Sequence, residues 1–471
     1  MPDLRVRGFA GSINSPNPFW LASAPPTNTG EMIMRAFDAG WGGAVWKTIG
    51  EPIKNVSSRY SATDWNGMRM MGFNNIELIS DRSIDTNLRE MTEVKRRYPQ
   101  NAVIASLMVA SNREAWHDIV ARTEDAGADG LELNFGCPHG MSERGMGSAV
   151  GQVPEYAQMI TEWVKEKART PVLVKLTPNI TDIRAVASAA KRGGADGLSA
   201  INTINSITGI DLDSFTPWPN VDGKSSHGGY CGPAVKPIAL NMLQQVMSDP
   251  DAALPFSGIG GIATWRDAAE FILLGCGTVQ VCTAVMHFGY RIVEDMVEGL
   301  DNWMQEKGFK TIEDFRGLSL SRVTEWKHLN LNYKIVARID EQKCIGCNLC
   351  HISCWDGAHQ CIHLDRESGP VDGHVELHPI PALQEKQSRT AITETPVSRK
   401  ERATAVQGAN PTPLARIPRV DETECVGCNL CSLVCPVDEC ITMVRVENGL
   451  MPETWDELTR DASGETPLRK A

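Results

Sequence analysis

The sequence predicts an α/β protein, a parallel (β/α)8 TIM barrel followed by a small cysteine-rich domain. Two observations support this prediction. One pattern recurs along residues 1–300, in which a helix ends at glycine and an apolar strand follows. Most of the 14 cysteines lie beyond residue 343, in two regularly spaced runs. Glycine suits the left-handed position that ends many helices, so each copy of the pattern marks a turn from helix to strand.

Eight strands are predicted for the barrel. Short apolar strands that alternate with helical segments are typical of parallel βα units, and eight units in about 280 residues match a TIM barrel. A doubly wound open sheet is the main alternative. Four of the strands end the recurring pattern, within Phe37–Thr48, Glu124–Asn134, Lys191–Thr203 and Leu273–Thr283. The other four are apolar runs outside the pattern, at Phe19–Ala24, Ala102–Leu107, Val172–Leu176 and Pro255–Gly260.

The bulk composition is that of an acidic globular protein. With a net charge of -12, the chain lacks the basic surface that nucleic acids and anionic membranes select. No apolar run approaches the roughly 20 residues of a membrane span, and the N-terminus shows no secretory signal. We therefore expect a cytoplasmic protein whose cysteines bind metal rather than form disulfides.

Two cysteine runs dominate the C-terminal region. Each follows the C-x2-C-x2-C-x3-C spacing of bacterial ferredoxins, in which three thiolates bind one [4Fe–4S] cluster and the fourth reaches the other cluster. Structural zinc and reduced core cysteines are alternatives that this spacing disfavours. Trp355 follows the first run where proline is usual, and Cys361 and Cys440 are interpreted as packed thiols. The predicted ligand sets are Cys344, Cys347 and Cys350 with Cys435, and Cys425, Cys428 and Cys431 with Cys354.

Domain boundaries are predicted from changes in composition. Residues 1–300 are expected to form the barrel, 301–339 a helical connector, 340–451 the ferredoxin-like domain and 452–471 a polar tail. Within the ferredoxin-like domain, residues 366–420 lack periodicity and are rich in proline, so we expect a long irregular insert there.

Polar residues follow the barrel strands at their carboxyl ends, where TIM barrels carry their chemistry. Gly260 and Gly261 end the seventh strand and would let the backbone approach a phosphate, which a following helix N-terminus favours. No G-x-G-x-x-G fingerprint opens a helix after a strand, so we expect no Rossmann NAD site in this chain. The polar strand ends are Lys47, Asn134, Lys175, Asn202, Thr203, Gly260, Gly261, Cys282 and Thr283.

Cys137 lies at the root of a loop that follows the fourth strand. The loop runs to Gly151 and contains Gly140, Gly145 and Gly147, which suggest a mobile lid over the site. Because a thiol has a reference pKa of about 8.5, it can donate or accept a proton near neutral pH. From the residues alone, an inert loop cysteine is the alternative.

Four segments and both cysteine runs resemble a known family. The segments are Asn75–Ser80, Leu131–Met141, Lys175–Asn179 and Thr216–Pro219. They resemble the dihydropyrimidine dehydrogenases over about residues 4–300, and are most similar to the pyrimidine-reducing catalytic subunits of the bacterial NAD-dependent enzymes. The related dihydroorotate dehydrogenases share the barrel and the Asn-x-x-Cys-Pro segment but lack this ferredoxin tail.

The resemblance implies FMN at the barrel mouth and reduction of the C5=C6 bond of uracil or thymine. Lys47 and Lys175 would face the flavin ring, where positive charge stabilises the reduced anionic flavin. Cys137 would be the general acid that protonates C5 while hydride passes from flavin N5 to C6, and would act as the base in reverse. The flavin phosphate would be held by Gly232, Gly260, Gly261, Cys282 and Thr283. The pyrimidine edge would be held by Asn75, Glu77, Asn134, Asn202 and Thr203.

The resemblance also implies a partner. Electrons would arrive one at a time through the two clusters, from a second subunit that carries FAD, further clusters and NAD(P). We expect a homodimer within a heterotetramer. Three features depart from the family pattern. Gly136 stands where the vertebrate enzyme has serine, Cys231 replaces a smaller polar residue, and the insert 366–420 is longer than expected and is a candidate docking surface.

Three other functions are weighed against this one. A dihydroorotate dehydrogenase with an attached ferredoxin would need a basic residue for the substrate carboxylate, and no strand end supplies one beyond the two flavin lysines. A non-catalytic electron-transfer subunit with a decayed barrel is disfavoured because Lys47, Cys137 and Lys175 are retained. A tRNA-reducing flavoenzyme is disfavoured by the acidic charge.

Overall fold

The computed structural model describes residues 2–138, 140–364 and 418–460. The chain divides into two compact units, a barrel unit (Met1–Val323) and a C-terminal unit (Thr324–Ala471). Within the residues that are described, no helix combines the length and apolar character needed to cross a bilayer. The expected insert lies outside the described residues, except for 418–420, which form a strand.

The barrel unit consists mainly of alternating strands and helices. Its strands are β1 (Val6–Phe9), β2 (Ile13–Ser15), β3 (Phe19–Leu21), β4 (Gly43–Val45), β5 (Tyr60–Trp65), β6 (Met68–Asn75), β7 (Ala102–Leu107), β8 (Gly130–Asn134), β9 (Val172–Lys175), β10 (Gly197–Ala200), β11 (Ile204–Ser206), β12 (Gly228–Cys231), β13 (Phe256–Ile259) and β14 (Thr278–Val281). Its α-helices are α1 (Gly30–Ala39), α2 (Ile84–Arg97), α3 (Arg113–Asp125), α4 (Ser148–Gly151), α5 (Pro154–Lys165), α6 (Ile183–Arg192), α7 (Lys236–Met247), α8 (Trp265–Leu273), α9 (Thr283–Phe288) and α10 (Ile292–Lys307).

Eight parallel strands close into a barrel in the order β10-β13-β14-β3-β4-β7-β8-β9. They are the eight strands predicted from the sequence, so the TIM-barrel prediction is confirmed and the open doubly wound sheet is wrong. The strands are buried because helices cover the outside and side chains fill the inside. Asn134 pairs with Lys175, so β8 and β9 end level with each other at the mouth of the barrel.

An N-terminal hairpin covers the opposite end of the barrel. β1 and β2 pair antiparallel, and Phe9 and Ile13 are buried in one apolar cluster with Trp20 of β3. The rings of Phe9 and Trp20 meet edge to face with centroids 5.6 Å apart. The indole N–H of Trp20 donates to Ser15 Oγ at 3.0 Å, which satisfies its buried donor. The N-terminal end of the barrel is therefore filled by apolar side chains.

Two insertions between barrel strands form a second sheet that the sequence did not predict. β5 and β6 follow β4, β11 and β12 follow β10, and the four strands pair antiparallel in the order β11-β12-β6-β5. Both insertions leave the barrel at the carboxyl end of a strand, so this sheet stands at the mouth. It places Asn75 of β6 opposite Gly229 of β12.

The described residues of the C-terminal unit form two antiparallel strand pairs. Its strands are β15 (Ile335–Ile339), β16 (Ile362–Leu364), β17 (Pro418–Val420) and β18 (Ile441–Arg445), and its α-helices among the described residues are α11 (Leu349–Gly357), α12 (Leu430–Val434) and α13 (Trp455–Leu458). β15 pairs with β18 and β16 with β17. β15 lies within the segment expected to be a connector. The core of this unit contains six buried cysteines packed among apolar residues such as Val336 and Ile441.

Candidate active site and cysteine groups

Lys47, two residues after β4, forms a buried ion pair with Glu77. Lys47 Nζ lies 2.5 Å from Glu77 Oε1, and the two side chains are 6% and 7% exposed. Arg59 contacts the same oxygen at 3.1 Å, and the Tyr60 hydroxyl donates to the other. Burial and this hydrogen bond raise the pKa of Tyr60 well above its usual range, so the hydroxyl keeps its proton. Sequence reasoning missed Arg59 and Tyr60 because they precede and begin an unpredicted hairpin.

Asn134, Asn202 and Thr203 form a hydrogen-bonded row at the barrel mouth. Asn202 Nδ2 donates to Asn134 Oδ1 at 2.9 Å, and the Thr203 N–H donates to Asn202 Oδ1 at 2.8 Å. Asn134 Nδ2 donates to Thr48 Oγ1 at 2.9 Å, and Thr48 bonds Ser106 at 2.9 Å. The row is therefore anchored on buried hydroxyls of neighbouring strands. Thr48 supports the site and was visible in the sequence as a polar residue at a strand end.

Asn75 lies beside this row on the second sheet. Its Nδ2 donates to the carbonyl of Gly229 at 3.1 Å. A Cβ added to Gly229 would lie 2.1 Å from Thr203 Oγ1, so Asn75 and Thr203 both contact this glycine. Glu77 follows two residues after Asn75. The structure therefore brings the five residues predicted to contact a pyrimidine to one end of the barrel.

Lys175 ends β9 and lies inside the barrel near Glu132. Lys175 Nζ is 3.5 Å from Glu132 Oε1, and the lysine side chain is 6% exposed. Glu132 Oε2 accepts from Ser199 Oγ at 2.8 Å and from Gln280 Nε2 at 3.0 Å. Because a buried carboxylate needs a compensating charge, Lys175 is its counter-ion. Sequence reasoning missed Glu132 and Gln280, although both were visible as polar residues within apolar strands.

Gly232, Gly260 and Gly261 come together where β12 and β13 end. Their φ angles are 92°, 131° and 74°, a region that favours glycine. A Cβ added to Gly261 would lie 2.9 Å from the Lys236 nitrogen and 3.0 Å from the Gly232 oxygen. Any larger side chain at Gly232, Gly260 or Gly261 would fill the space between them, which is called the glycine cradle below. Backbone N–H groups beside a helix N-terminus suit a phosphate, so these residues fit the group predicted for them.

Cys282 and Thr283 follow β14. They lie near the glycine cradle because Thr283 contacts Cys231, the residue before Gly232. Thr283 Oγ1 donates to Cys231 Sγ at 3.2 Å, and the Cys231 thiol donates to the Phe73 carbonyl at 3.3 Å. Burial raises the pKa of Cys231 to about 11, so the thiol keeps the proton that it donates. Burial and the neighbouring Cys231 raise the pKa of Cys282 well above its usual range. Both thiols therefore serve packing and hydrogen bonding here rather than nucleophilic chemistry.

Cys137 is buried in a small apolar cluster with Ile79 and Met141. The segment that follows it is folded, with a 3-10 helix at Ser142–Arg144 and the short helix α4. The N–H of Ser148 donates to the Cys137 carbonyl at 3.0 Å. In its described residues, the segment expected to be a lid is thus bonded to the backbone of Cys137.

Gly136 packs directly against the hydrogen-bonded row of Asn134, Asn202 and Thr203, called the amide row below. A Cβ added to Gly136 would lie 2.4 Å from the Cβ of Asn202. A larger residue here would push Asn202 away from Asn134. The glycine that departs from the family pattern therefore lets the Cys137 segment approach the row.

The two cysteine runs meet in the C-terminal unit as two groups of four thiols. Each group combines three cysteines of one run with the fourth cysteine of the other. Among the described residues, no three His, Cys, Asp or Glu side chains surround a single metal-ion position, whereas in a cubane each thiolate binds a separate iron. The first group holds Cys344, Cys347, Cys350 and Cys435, and the second holds Cys425, Cys428, Cys431 and Cys354.

The second group fits an iron–sulfur cluster. Its four cysteines line one small pocket, together with Cys361. Backbone N–H groups of His359, Cys361 and Ile362 donate to Cys354 Sγ. Hydrogen bonds of this kind favour the thiolate, the form that binds iron. A set of four cysteine sulfurs supported by N–H donors is typical of such clusters.

The barrel matches a known family. The family model for dihydroorotate dehydrogenase matches residues 10–304, and the model for a 4Fe–4S dicluster domain matches residues 343–439. The chain belongs to the family of dihydroorotate and dihydropyrimidine dehydrogenases.

Relatives within this family align over most of the chain. The NAD-dependent dihydropyrimidine dehydrogenase subunit PreA of Escherichia coli K12 is 46% identical over 356 residues, which cover 75% of this chain and 86% of the relative. The chloroplastic dihydropyrimidine dehydrogenase (NADP(+)) of Arabidopsis thaliana is 43% identical over 354 residues, 73% of this chain and 82% of the relative. The catalytic subunit of dihydroorotate dehydrogenase B (NAD(+)) of Pyrococcus abyssi is 36% identical over 315 residues, 65% of this chain and 97% of the relative.

Family membership defines the class of chemistry. The three relatives are dehydrogenases, so the prediction of an oxidoreductase is confirmed at that level. The family binds flavin, which agrees with a glycine cradle and two buried lysines at the barrel mouth. The match to a 4Fe–4S domain agrees with the two cysteine groups. The relative from Escherichia coli is named a subunit, and so belongs to an enzyme of more than one chain.

Proposed function

We propose that this chain catalyses the reversible reduction of the C5=C6 bond of uracil or thymine to a 5,6-dihydropyrimidine. The observation that carries the proposal is the meeting of an amide row, Cys137 and two buried lysines at one barrel mouth. The 46% identity to a dihydropyrimidine dehydrogenase subunit supports the same substrate class.

The amide row suits a pyrimidine ring. The edge of uracil alternates N–H and C=O groups, and an asparagine side chain can both donate and accept. Asn134 and Asn202 are already oriented by their mutual bond and by Thr48. Asn75 and Thr203 flank Gly229, and Glu77 would accept from a ring N–H. A substrate that lacks this edge would leave buried polar groups unpaired, which costs binding free energy.

The mouth of the barrel would hold FMN. When bound, FMN would supply the hydride that reaches C6 of the pyrimidine. Lys47 and Lys175 would place positive charge near the ring, where it favours an anionic reduced flavin. The phosphate would lie in the glycine cradle. The residues proposed to contact FMN are Lys47, Lys175, Gly232, Gly260, Gly261, Cys282 and Thr283.

Cys137 would move the proton. Its thiol would give a proton to C5 in reduction and its thiolate would take that proton back in the reverse direction, so hydride at C6 and proton at C5 balance the reaction. Its burial with Ile79 and Met141 keeps bulk water away from the sulfur. The bond from Ser148 to the Cys137 carbonyl holds the backbone from which the sulfur projects.

The C-terminal unit would deliver electrons. We propose two [4Fe–4S] clusters on the two cysteine groups, relaying single electrons from a partner subunit with FAD and NAD, in a homodimer within a heterotetramer. The name of the Escherichia coli relative, an NAD-dependent subunit, supports a partner. Cluster chemistry and reduced cysteines suit the cytoplasm, where we place the enzyme.

The test is a half-reaction on the anaerobically purified chain. The chain is reduced chemically, and flavin reoxidation is followed after adding uracil, orotate or buffer. We expect rapid reoxidation by uracil and none above buffer by orotate. Cys137→Ala should bind flavin normally and slow this reoxidation about 100-fold or more, the usual contribution of a general acid. A bound flavin that uracil does not reoxidise would contradict the proposal.

Dihydroorotate oxidation is the second candidate, and one observation favours it. Arg59 supplies the basic residue that the sequence did not reveal, with a side chain 34% exposed beside Glu77. It could bind the carboxylate of orotate. Its existing ion pair with Glu77 argues against this role, because a carboxylate substrate would have to displace Glu77. Reoxidation by orotate and not by uracil would move the function to this candidate.

A further inference from the structure

Cys361 and Cys440 occupy equivalent positions in the two halves of the C-terminal unit. Each directly precedes a strand, β16 or β18. The Asp421 N–H donates to the Cys361 carbonyl at 2.7 Å, and the Asp340 N–H donates to the Cys440 carbonyl at 2.7 Å. Asp421 and Asp340 lie four residues before the first cysteine of each run. The fold therefore places an extra cysteine twice at the same point.

Each extra thiol touches one cysteine group. Cys361 is 4% exposed, and its Sγ lies 3.5 Å from Cys354 Sγ and also bonds Cys425. Cys440 is 2% exposed, bonds Cys435 and lies near Cys344. In both halves, the fifth thiol therefore lies against the first cysteine of one run and the fourth cysteine of the other.

The direction of these hydrogen bonds depends on which sulfur carries a proton. A cysteine that binds iron is a thiolate and can only accept. Cys354 Sγ already accepts three backbone N–H groups, as expected of a ligand. Cys361 has sulfur partners, so its S–H proton points at a ligand sulfur. Cys440 has a second acceptor, the Asp340 carbonyl at 3.7 Å, which shares its proton.

We propose that Cys361 and Cys440 donate S–H hydrogen bonds to cluster ligands and raise the reduction potentials of the two clusters. The proposal rests on the clusters of the proposed function. Reduction adds negative charge to a cluster and its sulfurs, and a hydrogen bond to a sulfur stabilises that charge. Each thiol acts on one cluster, through a ligand that it contacts. Cys361 has the larger effect, because the proton of Cys440 is shared with Asp340.

The experiment is a potentiometric titration followed by electron paramagnetic resonance, with iron and sulfide analysis of each sample. It uses the full chain with reconstituted clusters and the variants C361A, C361S, C440A and C440S. We expect C361A to lower the equilibrium constant for reduction of one cluster about tenfold, which is 59 mV for one electron. C361S keeps a donor and should shift the potential less. C440A should shift the other cluster by less than C361A shifts the first.

Each other outcome counts against the proposal. Wild-type potentials in C361A at full iron content would show that the thiol does not tune the cluster. Loss of iron from C361A, or the signal of a three-iron cluster, would make Cys361 a ligand instead of a donor. A wild-type chain that binds no cluster would contradict the proposed electron relay itself. A wild-type chain with both clusters and unshifted variants would contradict only this inference.

Discussion

Lys47 and Glu77 meet at the mouth of the barrel as a buried ion pair, with Nζ 2.5 Å from Oε1. The resemblance to the dihydropyrimidine dehydrogenases implies that the lysine faces the flavin and that the glutamate contacts the pyrimidine. Their contact means that the two predicted sites share one charge pair. A change at either residue is therefore expected to affect both ligands.

Glu77→Gln should destabilise the barrel and impair turnover together. Removing one partner leaves Lys47 buried beside a neutral amide, which costs about 3–5 kcal/mol. The measurement is the free energy of denaturant unfolding of the flavin-free chain, with pyrimidine turnover on the loaded chain. Glu93→Gln is the control, because Glu93 bonds Arg96 and Arg97 on the surface and should leave stability unchanged. Equal stability of the two variants would show that the buried pair contributes nothing.

Gly147→Ala should displace Cys137. Gly147 has a φ of 59°, and an added Cβ would lie 2.8 Å from the Cys137 oxygen. Gly145→Ala is the control for a positive φ without a clash, since Gly145 has a φ of 75° but no atom within 4 Å of its added Cβ. Alanine at Gly145 carries a left-handed strain of roughly 1–2 kcal/mol, and alanine at Gly147 carries more, because the ψ of -124° at Gly147 lies outside the left-handed helical region. We expect kcat to fall about tenfold or more in Gly147→Ala relative to Gly145→Ala, with equal flavin content. Equal kcat values would show that this segment does not set the position of the Cys137 thiol.

Asp267 should make the barrel unit sensitive to acid. It caps α8 through N–H groups of Ala263 and Thr264 at 3.0 and 2.8 Å, and binds Lys236 at 2.6 Å. Burial alone would raise its pKa, but Lys236 and these bonds outweigh burial and hold the pKa below its ordinary value of 3.8. A lowered pKa in the folded state gives stability that is complete above pH 3.8 and is lost as the pH falls through the folded pKa.

The matching measurement compares Asp267→Asn with the wild-type chain across this range of pH. We expect a difference in the free energy of unfolding of about 1–2 kcal/mol at neutral pH, shrinking as the pH falls below 3.8. Asp182→Asn is the control, because Asp182 also caps a helix beside an arginine but is 44% exposed, so its effect should be smaller. A difference that persists unchanged at low pH would exclude a role for the ionised carboxylate.

Cys435→Ala should damage the cluster of the first run rather than the cluster of its own run. Cys347 lies near Cys435, whereas Cys431 lies near Cys354. Electron paramagnetic resonance should show the same cluster lost in Cys435→Ala as in Cys347→Ala. Cys276→Ala is the control, because Cys276 is buried in the barrel unit and should leave iron content unchanged. Loss of the second cluster in Cys435→Ala would contradict the crossed ligand sets.

The barrel strands and cysteine groups could be predicted because their signals are local. Four strands of the barrel, β8 among them, are short apolar runs after a glycine turn, and the other four, β13 among them, are short apolar runs between these. The cysteine spacing is a pattern of adjacent residues, whose reach is set by a few bonds of backbone. Polar residues at strand ends are visible for the same reason, so the sequence alone predicts Asn134 and Lys175 at the mouth, where the two residues pair.

The sequence by itself determined the barrel, the two cysteine runs and most of the polar residues that line the mouth. Only the tertiary structure decided which of them touch. The second sheet joins segments from two distant insertions, and through it Asn75 meets Gly229. The pairing of Glu132 with Lys175 and the contact of Cys361 with Cys425 likewise depend on how distant segments pack. Local patterns set the direction of a side chain, whereas its partner depends on packing that no short stretch of sequence encodes.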